Sequence, residues 1–549
     1  MCSLAAAVVA SGAILIALGS HLVFRLDEWD LLLNRRGLSA GVFLDPHNDH
    51  ITIVPVAIYK VLLEVFGMSS AVPFNVVSTL VFLASAVLLF ALVRRRIGDW
   101  AALIATVAIL FLGSAWEDLL SAFQVGYFGS IAAGLGAMLA LDRRDRLGDR
   151  LACVLIVVAT SFSELGIPFA IAALLDVALD RRSSLDRLYV PLVPIALYGL
   201  WWLGWGHTAH TSLTLHNVAI APQYALDQAS SGLAGLLGLA GAAPGAPTGP
   251  SPLDWGRALL LVAGGLGALR LYRLGRVPRG VWVALGLGAS FWLLTGLNQN
   301  VFRPPTSGRY LYPSAVFIVV IASELLSGLG IRRVALVVAA IVAAAAVASN
   351  LSALESGYRS QHDVSDLVRT DLAALEVARP AVVPGFVLDT RISGLWLQPV
   401  NASAYFSAVD AFGSPAGTPA ELAAAPESSR LEADRIVAAS EGLRLAPALA
   451  AGRAGRGAGR ACRVVRATAA QTALLHLGPG AVTVRNDGTT PADVLLGRFA
   501  DALPVDLGGV APRRSASLTI PADRSTIPWR LGLGGRGAVT VCARGGGSL

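Results

Sequence analysis

The sequence predicts a polytopic α-helical membrane protein of about eleven transmembrane helices with a C-terminal, extracytoplasmic, β-sandwich-like domain, on three observations. Hydrophobic residues make up 55% of the 549 positions and charged residues only 14%, with a mean hydropathy of +0.63. A soluble domain carries about 25% charged residues, so this chain lacks the means to cover itself with polar surface. The apolar residues also gather in runs long enough to cross a hydrocarbon core of roughly 30 Å. Finally, the arginines sit in short segments between those runs, where they orient a membrane protein. The net charge of +7 therefore does not point to nucleic acid.

The apolar runs lie near 4–22, 71–93, 99–114, 126–141, 150–162, 164–180, 188–205, 255–272, 280–297, 309–328 and 331–349. Between 150 and 180 the map needs Ser163-Glu164 as a tight outer turn. Threaded through eleven spans, the clusters Arg94-Arg95-Arg96, Arg143 to Arg146, Arg181-Arg182, Arg270 to Arg279 and Arg332-Arg333 all fall on one side, the cytoplasmic one. The other side receives 23–70, 115–125, 206–254, 298–308 and everything after 350. The first span has no basic n-region and no small-x-small site, so it reads as retained. Lys60 is the only lysine, while Ala, Gly and Arg abound, a usage expected from a GC-rich bacterial genome and hence a bacterial plasma membrane. No internal repeat is visible.

Three regions follow: a membrane domain at 1–350, an extracytoplasmic helix and linker at 351–460, and a small β-rich domain at 461–549. Tyr358 to Arg379 reads as a surface helix with Val364, Leu367, Leu372 and Leu375 on its apolar side. The Ala/Gly/Arg run 451–460 reads as a linker. Beyond it, Cys462 to Val465, Ala481 to Arg485, Ser517 to Ile520 and Ala538 to Cys542 are short β-branched runs between turns, the pattern of an antiparallel sandwich. Cys462 and Cys542 stand in its first and last strands, where a disulfide is favoured outside the plasma membrane; two unpaired core thiols are the competing reading.

The outer segments carry the chemistry. The first holds Asp27-Glu28-Trp29-Asp30 and then Asp45-Pro46-His47-Asn48-Asp49-His50. Ionisable groups at the bilayer are costly and usually functional, and a carboxylate there can take a proton from an attacking hydroxyl. The plain alternative is a solvated loop neutralised by Arg25, Arg35 and Arg36. His47, His50, Asp45 and Asp49 look like ligands, but their spacing matches no zinc signature, so contacts to substrate or backbone are the reading preferred over a divalent metal. The second outer segment adds Glu117-Asp118 and then Gln124 and Tyr127; these acids either converge on the same site or cap the next helix. Arg303, Arg309 and Tyr310 lie away from the arginine-rich side. Arginine pairs bidentately with phosphate, so a lipid-phosphate head group is one partner and ordinary membrane lipid is the other.

This arrangement resembles the GT-C superfamily of membrane glycosyltransferases over about residues 1–350. The resemblance rests on many spans, the acidic first outer loop at Asp27 to Asp30, acids at Glu117-Asp118, the looser Arg309-Tyr310 match and an extracytoplasmic C-terminal domain. It implies transfer of a sugar from a polyprenyl-phosphate donor to a glycan or glycolipid acceptor. Asp27, then Asp30, would be the base. Glu117 or Asp118 would orient the acceptor or a cation, and Arg303 and Arg309 would hold the donor phosphate. Glu28, Trp29, His47, Asp49, His50, Gln124, Tyr127 and Tyr310 complete the expected binding residues. Three other functions remain open: a lipid or polysaccharide transporter or flippase, a glycan polymerase or ligase acting in 206–254, and a non-catalytic scaffold.

Overall fold

A computed structural model describes residues 2–180, 185–209, 213–240, 251–394, 396, 398–447, 461–467, 473–535 and 537–544. The chain forms two compact units. The first comprises 1–22, 35–65 and 71–362, and the second 23–34, 66–70 and 363–549. The boundary expected at 350 thus falls near 362, and the Asp27 to Asp30 segment belongs with the C-terminal half. The 451–460 run and Arg181-Arg182 lie outside the described residues.

Helices of the first unit are α1 (Cys2–Gly19), α2 (Ile53–Phe66), α3 (Val72–Ile97), α4 (Asp99–Leu110), α5 (Val125–Leu141), α6 (Arg146–Phe162) and α7 (Gly166–Ala178). They continue with α8 (Tyr189–Gly204), α9 (Leu215–Leu236), α10 (Pro252–Leu274), α11 (Arg279–Leu297), α12 (Leu311–Leu326) and the first part of α13 (Arg333–Ala378), whose residues from 363 onward belong to the second unit. Every apolar run of the sequence map is helical. Among the described residues, seven helical segments are long and apolar enough to cross a membrane, and α7 and α8 are shorter apolar helices. The core is aromatic: Tyr312 packs edge-on to Phe82 and Phe128 at 5.4 and 5.1 Å, and Phe317 meets Phe169 and Phe291. The Tyr312 hydroxyl is not wasted there, since it shares a hydrogen bond with Ser85 Oγ at 2.5 Å.

Contacts sort the helix ends into two groups. At one end Arg96 pairs with Asp142 and Glu324, joining α3, α5 and α12. Nearby in sequence logic, Arg187 holds Asp149 and Asp180 at 2.8 Å, and Arg279 reaches Asp180 at 3.1 Å and Asp176. The opposite ends are tied by a segment the sequence map left as loop. Helix α9 runs along them: Asn217 Nδ2 donates to the carbonyls of Leu297 and Gln299, Arg257 pairs with Asp227, and Asn350 Nδ2 donates to Gly235 O. Its sequence hid this role because its buried face is small and polar, with Ser230, Ser231 and Gly232 against α10 and α12. Helix α2, too short at 14 residues to span ~30 Å, sits at the same end, with Tyr59 against Phe74 at 5.0 Å.

In the second unit, the helix expected at 358–379 is no separate element. It is the C-terminal part of α13, because no proline interrupts 333–378 and the helix runs on through Ser356-Gly357. Its Leu372 and Leu375 are buried, so its face packs rather than lying at a surface. Helices α14 (Ala402–Phe412) and α15 (Glu427–Ser440) follow where the sequence suggested only linker. Strands β1 (Ala461–Ala467), β2 (Ala473–Leu477), β3 (Gly480–Asn486), β4 (Ala492–Gly497), β5 (Val505–Val510), β6 (Ser515–Ile520), β7 (Trp529–Leu533) and β8 (Gly537–Arg544) complete the chain. They form antiparallel sheets ordered β2-β7-β4-β5 and β6-β3-β8-β1, with Ala446–Pro447 pairing along β6. Period-two alternation buries Val482 and Val484 of β3, Val539 and Val541 of β8, and Leu531 and Leu533 of β7.

Cys462 and Cys542 face each other in register on β1 and β8 and are bonded. At a sequence separation of 80, the chain-entropy model gives the link a worth of roughly 4 kcal/mol. Thiol labelling of the denatured, unreduced protein should leave both unmodified. Free label at both would remove the crosslink from the account.

The second unit also buries Glu441. Burial and the neighbouring Asp523 carboxylate, itself paired with Arg498, push its carboxyl up to about 9. A carboxyl raised in the folded state binds its proton more tightly there than in the unfolded chain. Its contribution is full below the ordinary glutamate value and is lost as pH climbs towards 9. Thermal unfolding of Glu441→Gln should therefore run close to wild type at pH 4 and above it at pH 9; parallel pH profiles would contradict this.

Candidate functional site

The site is built from three chain segments of the first unit. The first is the turn His47 to His50, closed by paired backbone bonds of 2.9 Å between its end residues. Asn48 takes the left-handed conformation at φ +54°, which asparagine tolerates better than most residues. Arg35, buried, pins the turn by donating to the carbonyls of Asp45 and Pro46 at 2.8 and 2.9 Å. His47 turns aside and packs on Phe123 at 5.1 Å, which leaves Asp49 and His50 to the site.

The second segment is the hairpin between α6 and α7. Ser163 Oγ accepts from Leu165 N–H, and Glu164 O accepts from Ile167 N–H at 2.9 Å, so the chain reverses within a few residues. Gly166 is required here, because a Cβ would stand 2.3 Å from the backbone nitrogen of Thr160. The turn projects Glu164. The third segment, 298–310, supplies Arg303, whose guanidinium holds both oxygens of Asp49 at 2.7 Å. Asn298 donates to the same carboxylate, and Tyr224 of α9 fixes the Arg303 carbonyl at 2.9 Å.

His50 joins the segments. Its Nε2 lies 3.2 Å from Asp49 Oδ1 and its Nδ1 2.9 Å from Glu164 Oε2, the latter an ion-pair contact outside good hydrogen-bond alignment. Burial disfavours the imidazolium, but Glu164 and Asp49 more than offset that and raise His50 above the ordinary imidazole range. Burial likewise opposes the Asp49 charge, yet the Arg303 hydrogen bonds and the His50 charge hold its carboxyl below the usual range. Asp49 is thus a spent, structural anion. Glu164, its side chain 29% exposed, is the carboxylate left facing the cavity.

That cavity, about 240 Å³, has one polar end made of Asp49, His50, Glu164 and Arg303. Its walls are aromatic and aliphatic, with Tyr127, Tyr198, Trp202, Tyr310, Phe291 and Leu294 among the lining residues. No family model and no curated protein matches the chain. The site must therefore be read from its own geometry.

Of the residues singled out in the sequence, Asp49, His50, Tyr127, Arg303 and Tyr310 line the cavity together. Glu117 stands at its side, where its Oε2 accepts from Arg309 N–H at 3.2 Å and from Ser307 Oγ. The Arg309 guanidinium donates to Ser307 Oγ and Phe302 O and has no carboxylate within ion-pair distance among the described residues. Asp118 is fully buried, and neither of its oxygens has a hydrogen-bond partner among those residues; Gln124 Oε1 is buried in the same condition. The sequence reading missed Glu164, Asn298 and Tyr198. Glu164 had a signal, an acid at the hinge of two apolar runs, but the sequence map uses it only as a tight outer turn.

Asp27, Glu28, Trp29 and Asp30 belong to the second unit. Asp27 accepts from Gln398 Nε2 at 3.1 Å, and Glu28, buried, accepts from Arg25 N–H at 2.8 Å. Asp30 accepts from Asn34 Nδ2, and Trp29 packs among Phe24, Trp396 and Tyr405. Among the described residues no group of three or more His, Cys, Asp or Glu side chains is arranged to hold a metal ion. His207 and His216 of the 206–254 segment are not part of the cavity lining, and His210 lies outside the described residues.

Proposed function

We propose that this protein is a membrane glycosyltransferase that moves a sugar from a polyprenyl-phosphate donor to an extracytoplasmic glycan or lipid acceptor. The observation that carries the reading is the cavity at Glu164, apolar along its walls and charged at a single end. Such a slot suits a substrate with a hydrocarbon tail, a phosphate and a sugar. The seven long apolar helices, with α6, α7, α8 and α10, would make the eleven crossings of the sequence map. The arginine-rich ends would face the cytoplasm, and the cavity and residue 549 the opposite side. A C-terminal reporter active only in the cytoplasm should then stay silent; strong signal would refute the orientation.

In this reading Glu164 takes the proton of the acceptor hydroxyl as its oxygen bonds to the anomeric carbon. The bond from that carbon to the phosphate oxygen breaks, and the electron pair leaves with the phosphate. Arg303 retains N–H donors beyond the two given to Asp49, and Arg309 is unneutralised nearby, so both favour the departing charge. His50 keeps Glu164 in place. Purified protein in nanodiscs should transfer labelled sugar from a polyprenyl-phosphate donor to a glycan acceptor.

One observation favours a second reading. A histidine bridging two carboxylates at a cavity also suits a proton-coupled lipid carrier. Nanodiscs separate the two, because they have no closed compartments: a transferase turns over in them and a carrier yields no product.

A further inference from the structure

A second concavity lies between α4 and α13, away from the residues of the candidate site. It is about 890 Å³ in volume and is walled by apolar side chains, Leu103 and Val107 on one helix and Leu336, Ala340 and Ala344 on the other. One mouth is marked by Trp100, 67% exposed, and by Arg333. Arg332 and Arg333 are exposed, make no hydrogen bond or ion pair among the described residues, and stand at the first turn of α13, whose N-terminal N–H groups also favour an anion. The acid at this mouth, Asp99, is already paired with Arg94 at 3.0 Å.

Charge selects the occupant. From Arg333 to Val347 the groove runs about 21 Å along the helix axis, an apolar track for an extended acyl chain, and the two arginines at its mouth hold no anion among the described residues. A headgroup phosphate above a hydrocarbon chain matches both features.

We propose that the groove between α4 and α13 binds an anionic glycerophospholipid, with its acyl chains along Leu103, Leu336 and Ala340 and its phosphate on Arg332 and Arg333. The proposal needs the bundle to lie in a membrane but not the transferase activity, and its test reads bound lipid alone.

The experiment is native mass spectrometry of the full chain, delipidated in detergent and titrated with phosphatidylglycerol or phosphatidylethanolamine. Wild type should retain phosphatidylglycerol at least fivefold more tightly than phosphatidylethanolamine. Arg332→Gln with Arg333→Gln should abolish that preference, since each charge–phosphate contact at an interface is worth about 1 kcal/mol, or some fivefold. Ala340→Phe, on an exposed wall position that fills the groove without touching the core, should lower affinity for both lipids. Equal retention of the two lipids by wild type, or unchanged binding in both variants, would overturn the site. A stable dimer that excludes lipid would assign the groove to a second copy instead. A chain that stays soluble without detergent would fail the membrane reading, a result distinct from any of these.

Discussion

Glu164→Gln should lower sugar transfer by 10²- to 10⁴-fold, the usual cost of losing a general base, while leaving the fold intact. The substitution keeps the side chain's shape and its carbonyl oxygen but removes the charge and the basicity. Asp49 does not replace it, because Arg303 occupies both its oxygens and Asn298 adds a further donor. The variant should also change how His50 titrates. In wild type the imidazolium is stabilised by Glu164 and Asp49 against burial, so its contribution to stability is complete below the ordinary imidazole value and is lost as pH rises through the raised one. With Gln at 164 one of those two anions is gone, and the His50 titration should move down. Histidine resonances followed by NMR against pH would register that shift. Asp49 works in the opposite sense: its lowered carboxyl contributes stability above the ordinary carboxylate range and loses it as acid titrates the Arg303 pair. Full turnover in Glu164→Gln, with the His50 titration unmoved, would remove both roles.

Arg187→Met should cost about 3–5 kcal/mol of stability, the range for breaking a buried ion pair from one side. Arg187 is 8% exposed and binds Asp149 through Nε and Nη2 and Asp180 through Nη1. Without it, Arg279 still reaches Asp176 and Asp180, but Asp149 loses the guanidinium that neutralises it, in a cluster of three carboxylates drawn from α6, α7 and the turn after α7. The side chain of methionine fills the space but leaves the like charges crowded. The thermal midpoint in detergent should fall markedly, and Arg187→Met with Asp149→Leu should recover part of the loss. An unchanged midpoint in the single variant would mean that water already screens this cluster.

The apolar runs were legible because membrane-length hydrophobicity survives any local ambiguity, and each became a helix. What stayed hidden depended on burial that periodicity does not report. Helix α9 carries Ser230, Ser231 and Gly232 on its packed face, so it reads as a polar loop. In the sandwich, β1, β3, β6 and β8 were visible through valine, threonine and isoleucine. Strands β2, β4, β5 and β7 were not, since Leu474-Leu475, Leu495-Leu496 and Gly508-Gly509 lack the β-branched signature. In the site, Asp49, His50, Arg303 and Tyr310 were legible as charged or aromatic residues in outer segments. Glu164 was not, because its role comes from meeting His50, more than a hundred positions away in the chain. The acids at 27–30 drew attention by their density, and in the structure each of the three accepts a local or unit-internal hydrogen bond. Density of charge marks a segment under constraint without saying whether the constraint is chemical or structural.

In the proposed function the lipid-linked substrate sits in the cavity between the His47 to His50 turn, Glu164 and Arg303. A polyprenyl-phosphate sugar carrying a photoreactive diazirine on its first isoprene unit tests this directly, with labelled peptides mapped after irradiation of the protein in nanodiscs. Label should appear on peptides containing Tyr198 and Trp202 and on those containing Leu294, competed away by unlabelled donor. Competable label confined to the Asp27 to Asp30 segment, with the cavity peptides clean, would contradict it.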